Sequence, residues 1–142
     1  MAERKQFATF YLDKLRFGVE VGHVQEVIRY QEMTRVPLAS SVVTGLINLR
    51  GQIVTALDLR RRLELKQREA ERLPMNVVIR NGEEAVSLLV DEIGDVLEVE
   101  DAAFEAPPET LRGVARELIR GAYKLKDQLL LVLDTEKTVA LN

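Results

Sequence analysis

The amino-acid sequence carries one pattern twice, and this duplication restricts the possible folds more than any other feature. Residues 17–28 match residues 86–97 in the spacing of their apolar positions. Residues 45–58 match the equally long segment 121–134, and both segments carry Gly, Leu, Gln, Leu and Asp at the same places. Because the repeat is long and occurs twice, it predicts one small unit used two times rather than a solenoid.

Alternating apolar and polar residues predict that each unit is built of β-strands, which lie in hairpins. Asn81 followed by Gly82 is a type I′ turn signal, and Gly51 breaks the central hairpin. Val24, Val27 and Ile28 instead recur at helical spacing, which predicts a helix of one or two turns. The expected strands are residues 7–12, 15–21, 45–50, 52–59, 75–80, 84–90, 96–99, 118–125 and 128–134, with a short edge segment at 34–36.

A unit of four or five strands removes its exposed edges most economically by closing into a small barrel. We therefore predict an all-β fold with short helices, in which two barrels share a core and leave a groove between them. The first unit covers about residues 7–62 and the second about 75–142, with an exchange of strands between them left open. Asp58 and Asp134 each end a strand before a possible helical turn, so both are expected to be N-caps.

Arg50 stands at the tip of the apolar central hairpin, where its guanidinium needs acceptors or solvent. One interpretation is that it pairs with a nearby carboxylate and fixes the hairpin. The other is that it is presented to a partner, since Arg is frequent at interface hot spots. The apolar residues Val24 and Val27, with Val96 as the counterpart of Val27, are candidates for a groove edge, or else belong to the core.

Two charged stretches are interpreted mainly as solvated surface. Residues 60–72, which open with three consecutive arginines, predict a solvated helix or linker, with an anionic partner as the alternative. Asp91, Glu92 and Asp95 offer oxygen ligands, but their spacing matches no calcium loop. An acidic solvated face is the preferred interpretation, and no metal or other cofactor is expected.

Composition and motifs disfavour most other functions. The net charge of −3 over 142 residues gives no basic surface for nucleic acid, and the chain has no Cys. It has no apolar run long enough to cross a bilayer and no signal peptide, so a soluble, cytoplasmic protein is expected. A phosphate loop, a dinucleotide fingerprint and a nucleophile elbow are all missing, and His23 is the only histidine. Binding therefore fits the sequence better than catalysis.

The sequence resembles the CheW family of chemotaxis coupling proteins along essentially its whole length. The resemblance rests on motifs in a fixed order, which are Phe17-Gly-Val, Val24-Gln-Glu-Val27, Thr34-Arg-Val-Pro37, Gly45-Leu-Ile-Asn-Leu-Arg-Gly51, Asp58-Leu-Arg60, Val90-Asp-Glu-Ile-Gly-Asp-Val96, Leu118-Ile-Arg-Gly121 and residues 129–134. It implies two SH3-like five-stranded barrels, no enzymatic activity, and a cytoplasmic adaptor. The implied partners are the regulatory domain of a CheA-type histidine kinase and the cytoplasmic tip of a chemoreceptor.

The resemblance also implies two binding surfaces. The positions that match receptor-binding residues of the family are Val24, Glu26, Val27, Arg50, Ser87 and Val96, and Ser87 stands where the family often has Gly. The kinase-facing surface is placed around Met33, Thr34, Arg35 and Val36.

Two alternatives to this function stay open. The chain could serve a non-flagellar pathway, such as type IV pili or gliding, or it could be a CheW-like domain cut from a larger signalling protein. Met1 and a strand that begins within seven residues favour a stand-alone chain.

Overall fold

A computed structural model describes residues 3–67 and 72–140. Within these ranges the chain forms strands connected by tight turns and short helices, as the alternation predicted. The strands are β1 (Arg4–Leu12), β2 (Leu15–Glu20), β3 (Val24–Ile28), β4 (Val43–Leu49), β5 (Gln52–Asp58), β6 (Met75–Asn81), β7 (Glu84–Val90), β8 (Glu92–Glu100), β9 (Ile119–Lys124) and β10 (Leu129–Leu133). The helices are α1 (Leu59–Arg62), α2 (Gly113–Leu118) and α3 (Thr135–Val139), with 3-10 turns at Val21–His23 and Asp101–Ala103.

The strands form two five-stranded sheets that exchange strands reciprocally. The first sheet has the order β8-β1-β2-β10-β9 and the second has the order β3-β6-β7-β5-β4. β3 follows β2 along the chain but pairs with β6, and β8 follows β7 but pairs with β1. The halves drawn at residues 7–62 and 75–142 therefore do not coincide with the sheets, because each half contributes strands to both.

The duplication seen in the sequence is present in the backbone pairing. The parallel pair β5–β7 places Thr55 opposite Val86, and the parallel pair β2–β10 places Phe17 opposite Leu131. Outside the strands, the isolated bridge between Thr34 and Leu46 is repeated by one between Glu105 and Ala122. The all-β class with two five-stranded units is thereby confirmed.

The buried residues show how the two sheets are joined. The largest apolar cluster takes side chains from both sheets, so the units share one core; it includes Phe10, Phe17, Leu57, Val77, Leu88 and Leu131. A second cluster lies within the second sheet and takes one side chain from each of the five strands. These side chains are Ile28, Leu49, Val54, Val78 and Ala85. Side chains from both edge strands meet inside, so this sheet curls around its own small core.

The predicted helix around Val24 is wrong. Val21–His23 forms a single 3-10 turn, and Val24–Ile28 is the edge strand β3. Its pairing with β6 shifts register between Val24 and Glu26, which is the mark of a β-bulge. The extra residue in the bulge breaks the period-two alternation of the strand, and the resulting spacing imitates that of a helix.

Two further predictions need correction. The β6–β7 hairpin is centred on Gly82 and Glu83, and a positive φ occurs only at Gly82, as in a type II′ turn rather than type I′. The strand expected at residues 96–99 is longer, because β8 already begins at Glu92.

Glu92 and Asp95 are exposed, as the interpretation of an acidic solvated face predicts, and residues 68–71 of the other charged stretch lie outside the described residues. Asp91 and Arg60, however, are not solvated. Their side chains are 1% and 8% exposed and form a bidentate ion pair. Hydrogen bonding to Asp91 raises the pKa of the Arg60 guanidinium, although burial opposes this. Arg62 is also engaged, because it donates to the carbonyl of Thr138 at 2.7 Å. Arg60 and Arg62 therefore hold the fold together, whereas Arg61 between them is exposed.

The expected N-cap roles of Asp58 and Asp134 are confirmed. The Asp58 carboxylate accepts from the backbone N–H of Arg60 at 3.0 Å, and the Asp134 carboxylate accepts from that of Lys137 at 3.0 Å. Each aspartate satisfies an N–H group that a short helix would otherwise leave unpaired.

Asp134→Ala is expected to destabilise the protein by about 1 kcal/mol, because it removes the acceptor at the start of α3. Urea denaturation followed by circular dichroism measures the change. Asp134→Asn is the control, since it keeps an acceptor oxygen and should recover most of the loss. An alanine variant as stable as the wild type would contradict the capping role.

Candidate partner-binding surface

The edge strand β3 places some of its side chains in the core and others at the surface. Val24 packs partly against the shared core, and Ile28 packs against the core of the second sheet. Val27 lies between them in the chain and is 38% exposed. The two valines therefore differ: Val24 is half-buried against the core, whereas Val27 is accessible at the surface.

Arg50 lies in the turn between β4 and β5. Both central residues of this turn have positive φ, 52° at Arg50 and 89° at Gly51, which is the type I′ geometry that suits a two-residue hairpin. The Asn48 side-chain oxygen accepts from the Gly51 N–H at 2.9 Å and holds the turn. The hairpin thus projects the Arg50 side chain outward.

Arg50 pairs with Glu26 of β3, so the interpretation that it binds a nearby carboxylate is confirmed. β3 and β4 are the two edges of the second sheet, and the ion pair joins them. The Arg50 side chain is nevertheless 69% exposed, whereas that of Glu26 is 20% exposed. The guanidinium is therefore fixed in direction but open to solvent, which leaves the second interpretation, presentation to a partner, compatible with the first.

Ile53 is a further exposed apolar residue close to Arg50 in the chain, and it was not singled out in the sequence. It follows the turn and is largely exposed, whereas Val54 beside it is fully buried. The sequence signal that could have identified Ile53 is an apolar residue next to a turn. It occupies a position where the alternation with the buried Val54 and Ala56 would place a polar residue. We call Val24, Glu26, Val27, Arg50 and Ile53 the β3 surface.

Val96 and Ser87 do not join the β3 surface. Val96 is exposed on β8, an edge of the first sheet, where it pairs with Ala8 of β1. Ser87 is completely buried on β7, and its hydroxyl donates to the Asn76 side-chain oxygen at 2.7 Å. Ser87 therefore offers no accessible side-chain surface for a direct partner contact, because its hydroxyl is enclosed and already hydrogen-bonded.

The four residues expected to face the kinase lie on the segment between β3 and β4. Thr34 is held by reciprocal backbone hydrogen bonds with Leu46, at 2.9 and 2.8 Å, and Met33 packs against Ile47. Arg35 and Val36 are exposed along an open groove of about 840 Å³. Leu38, at the same groove, is fully exposed and has a positive φ of 64°, which is uncommon for a residue with a Cβ.

Among the described residues, none of the helices has the length and apolar character needed to span a membrane. The short helices instead adjoin the ends of strands and pack against the shared core.

The family model and the curated relatives that match this chain all point to the same family. The model of the CheW-like domain family matches residues 6–141. The chain is 27% identical to the chemotaxis protein CheW of Treponema pallidum over 139 residues, covering 95% of this chain and 82% of that protein. It is 28% identical to CheW of Klebsiella aerogenes, covering 96% of this chain and 82% of that protein.

A solved structure shows the same fold. The crystal structure of the scaffolding protein TtCheW from Thermoanaerobacter tengcongensis superposes with a TM-score of 0.87 at 22% sequence identity. The match covers 99% of this chain and 95% of the other. Because the family model spans nearly the whole chain and the two-sheet fold agrees with it, the chain belongs to the CheW-like domain family.

Proposed function

We propose that this protein is a non-enzymatic chemotaxis adaptor that joins the cytoplasmic tip of a chemoreceptor to the regulatory domain of a CheA-type histidine kinase. Membership of a family of chemotaxis scaffold proteins supports this proposal. The observation that carries it is the edge strand β3, where Val27 is accessible and Glu26 fixes the direction of an Arg50 guanidinium that stays open to solvent. The role places the protein in the cytoplasm.

The β3 surface is the proposed receptor-binding site. Val27 and Ile53 offer apolar area, and Val24 packs against the shared core. Arg50 is positioned by Glu26, so binding does not have to order a free side chain, and less conformational entropy is lost. A receptor helix can place its apolar face against the valines and its polar groups against Arg50. Val96 lies on the other sheet and is proposed as a separate contact.

The segment with Met33, Thr34, Arg35 and Val36 is the proposed kinase-binding site. It lies on the segment between β3 and β4, in a groove bordered by apolar and charged side chains. The backbone bridge from Thr34 to Leu46 holds it against the sheet, so its exposed residues are presented on a firm support.

Two weak surfaces on one protein suit an adaptor that works in an array. When a receptor and a kinase are held together, the second contact forms at a high effective concentration. Each contact can then be modest while the assembly is stable. A shift of the receptor can bias the kinase because both are tied to the same rigid protein.

Val27→Asp tests the proposed receptor site. The variant is expected to weaken binding to a receptor cytoplasmic fragment by about tenfold or more, because a carboxylate replaces an apolar contact. Leu15→Asp is the matched control, since Leu15 is 39% exposed against 38% for Val27 and lies on the other sheet. Binding is measured by isothermal titration calorimetry, and circular dichroism establishes that both variants are folded. Equal affinity of the folded Val27→Asp variant and wild type would contradict the proposed site.

A further inference from the structure

The Asn81-Gly82 pair at the tip of the β6–β7 hairpin shapes the turn but belongs to neither proposed partner site. The register of the hairpin places Asn81 opposite Glu84, so the turn runs from Asn81 to Glu84 with Gly82 and Glu83 at its centre. All four residues are exposed. The side-chain amide of Asn81 is therefore open to water and lies next to a residue that has no side chain.

The backbone nitrogen of Gly82 is the second group that matters. In a β-turn the closing hydrogen bond runs from the N–H of the fourth residue to the carbonyl of the first, here from Glu84 to Asn81. The N–H of Gly82 takes no part in that bond. A Cβ added at Gly82 would meet no atom within 4 Å, so the space around this residue is open. Such an exposed tip also opens locally at a lower free energy than the centre of a strand, which lets the amide reach the nitrogen.

Asparagine side chains elsewhere in the described residues are held in place. The Asn48 side-chain oxygen accepts from the Gly51 N–H at 2.9 Å. Asn76 is fully buried, and its side-chain oxygen accepts from the Ser87 hydroxyl at 2.7 Å. Asn81 is the only asparagine in the sequence that a glycine follows. Exposure and an unhindered neighbouring nitrogen therefore coincide at Asn81.

We propose that Asn81 is a site of spontaneous deamidation. The Gly82 nitrogen loses its proton to solvent base and attacks the side-chain carbonyl carbon of Asn81. A new bond forms between that carbon and the Gly82 nitrogen. The bond from the same carbon to the amide nitrogen breaks, and the amide nitrogen takes a proton from water and leaves as ammonia. The product is a five-membered cyclic imide.

Water then opens the imide at one of its two carbonyl carbons. Opening at the former side-chain carbon gives aspartate, and opening at the backbone carbon gives isoaspartate, in which the chain runs through the side chain. The sum is an amide and water converted to a carboxylate and ammonium, so no oxidant, reductant or cofactor is needed. Either product adds a negative charge beside Glu83 and Glu84, and isoaspartate also lengthens the backbone at the end of β6. The proposal is independent of the receptor and kinase sites.

Prolonged incubation of the full-length protein at mildly alkaline pH tests the proposal. Digestion at glutamate residues under mildly acidic conditions, which halt the reaction, releases residues 72–83 as one peptide that contains both Asn76 and Asn81. Tandem mass spectrometry should locate the conversion of amide to carboxyl at Asn81. Electron-transfer fragmentation should find isoaspartate as well as aspartate at this position. Asn76 is the internal control and should keep its amide.

Asn81→Gln tests the imide route. This variant keeps an amide next to Gly82, but its cyclisation would need a six-membered ring, so it should lose its amide at least about tenfold more slowly than the wild type. Circular dichroism establishes that the variant is folded. An Asn81 that keeps its amide, aspartate formed without isoaspartate, or equal rates in the variant and the wild type would overturn the proposal.

Discussion

Arg60→Ala is expected to lower the free energy of unfolding by about 3–5 kcal/mol, which is a large part of the stability of a domain of this size. The substitution leaves the Asp91 carboxylate in the core without the guanidinium that neutralises it. Loss of one partner from a buried ion pair costs far more than the pair itself contributes. Guanidinium chloride denaturation measures the change.

The position of this ion pair explains why its loss should affect the whole fold. Asp91 is the residue between β7 and β8, where the chain passes from one sheet to the other. Its carboxylate also accepts from the backbone N–H of Asp13 at 2.7 Å, and its own N–H donates to the Tyr11 carbonyl at 3.0 Å. Arg60 adds a bond to the Lys66 carbonyl at 2.8 Å. The pair thus connects both sheets and the segment after α1.

An adjacent exposed ion pair provides the control for Arg60→Ala. Arg72 and Glu92 pair at the surface with side chains 47% and 61% exposed. Because solvent screens such a pair, Arg72→Ala should change the free energy of unfolding by at most about 1 kcal/mol. If Arg60→Ala were as mild as Arg72→Ala, the structural role given to the buried pair would be wrong.

Gly121→Ala is expected to destabilise the protein by about 1–3 kcal/mol through overpacking. A Cβ at this position would lie 2.4 Å from the carbonyl oxygen of Glu105 and 2.7 Å from a Phe104 ring atom. The Glu105 backbone cannot move away easily, because it exchanges two hydrogen bonds of 2.9 Å with Ala122. Thermal and urea denaturation both measure the effect.

Gly22→Ala is the control for the Gly121 substitution. A Cβ at Gly22 would meet no atom within 4 Å. The substitution should therefore be neutral or slightly stabilising, because alanine reduces the freedom of the unfolded chain. Equal destabilisation by both variants would show that loss of glycine, rather than the close packing at Gly121, is responsible.

The duplication and the hairpins were predictable because they depend on local patterns. Strand alternation and tight turns repeat along the chain, and the two-sheet architecture follows from them. The caps at Asp58 and Asp134 were predictable for the same reason, since each lies between a strand and its helix. The exchange of β3 and β8 between sheets was left open, because a strand's alternation does not tell which sheet edge it joins.

Features that depend on distant partners could not be predicted. Arg60 and Asp91 look like surface charges in the sequence, and their burial arises only because the strand exchange brings them together. Ser87 was placed at a surface by resemblance, but its neighbour Asn76 on β6 gives its hydroxyl a buried partner. Val24, Glu26 and Val27 share the edge strand β3 and Glu26 pairs with Arg50, whereas Val96 belongs to the other sheet.

Co-sedimentation of a CheA-type kinase with receptor-containing membranes tests the adaptor function most directly. Kinase autophosphorylation is followed in the same samples with and without attractant. With the wild-type protein present, the kinase is expected to sediment with the receptors and its activity to respond to attractant. With Val27→Asp both effects should be lost, while Leu15→Asp should keep them. Receptor-controlled kinase activity that is the same with and without this protein would contradict the adaptor function.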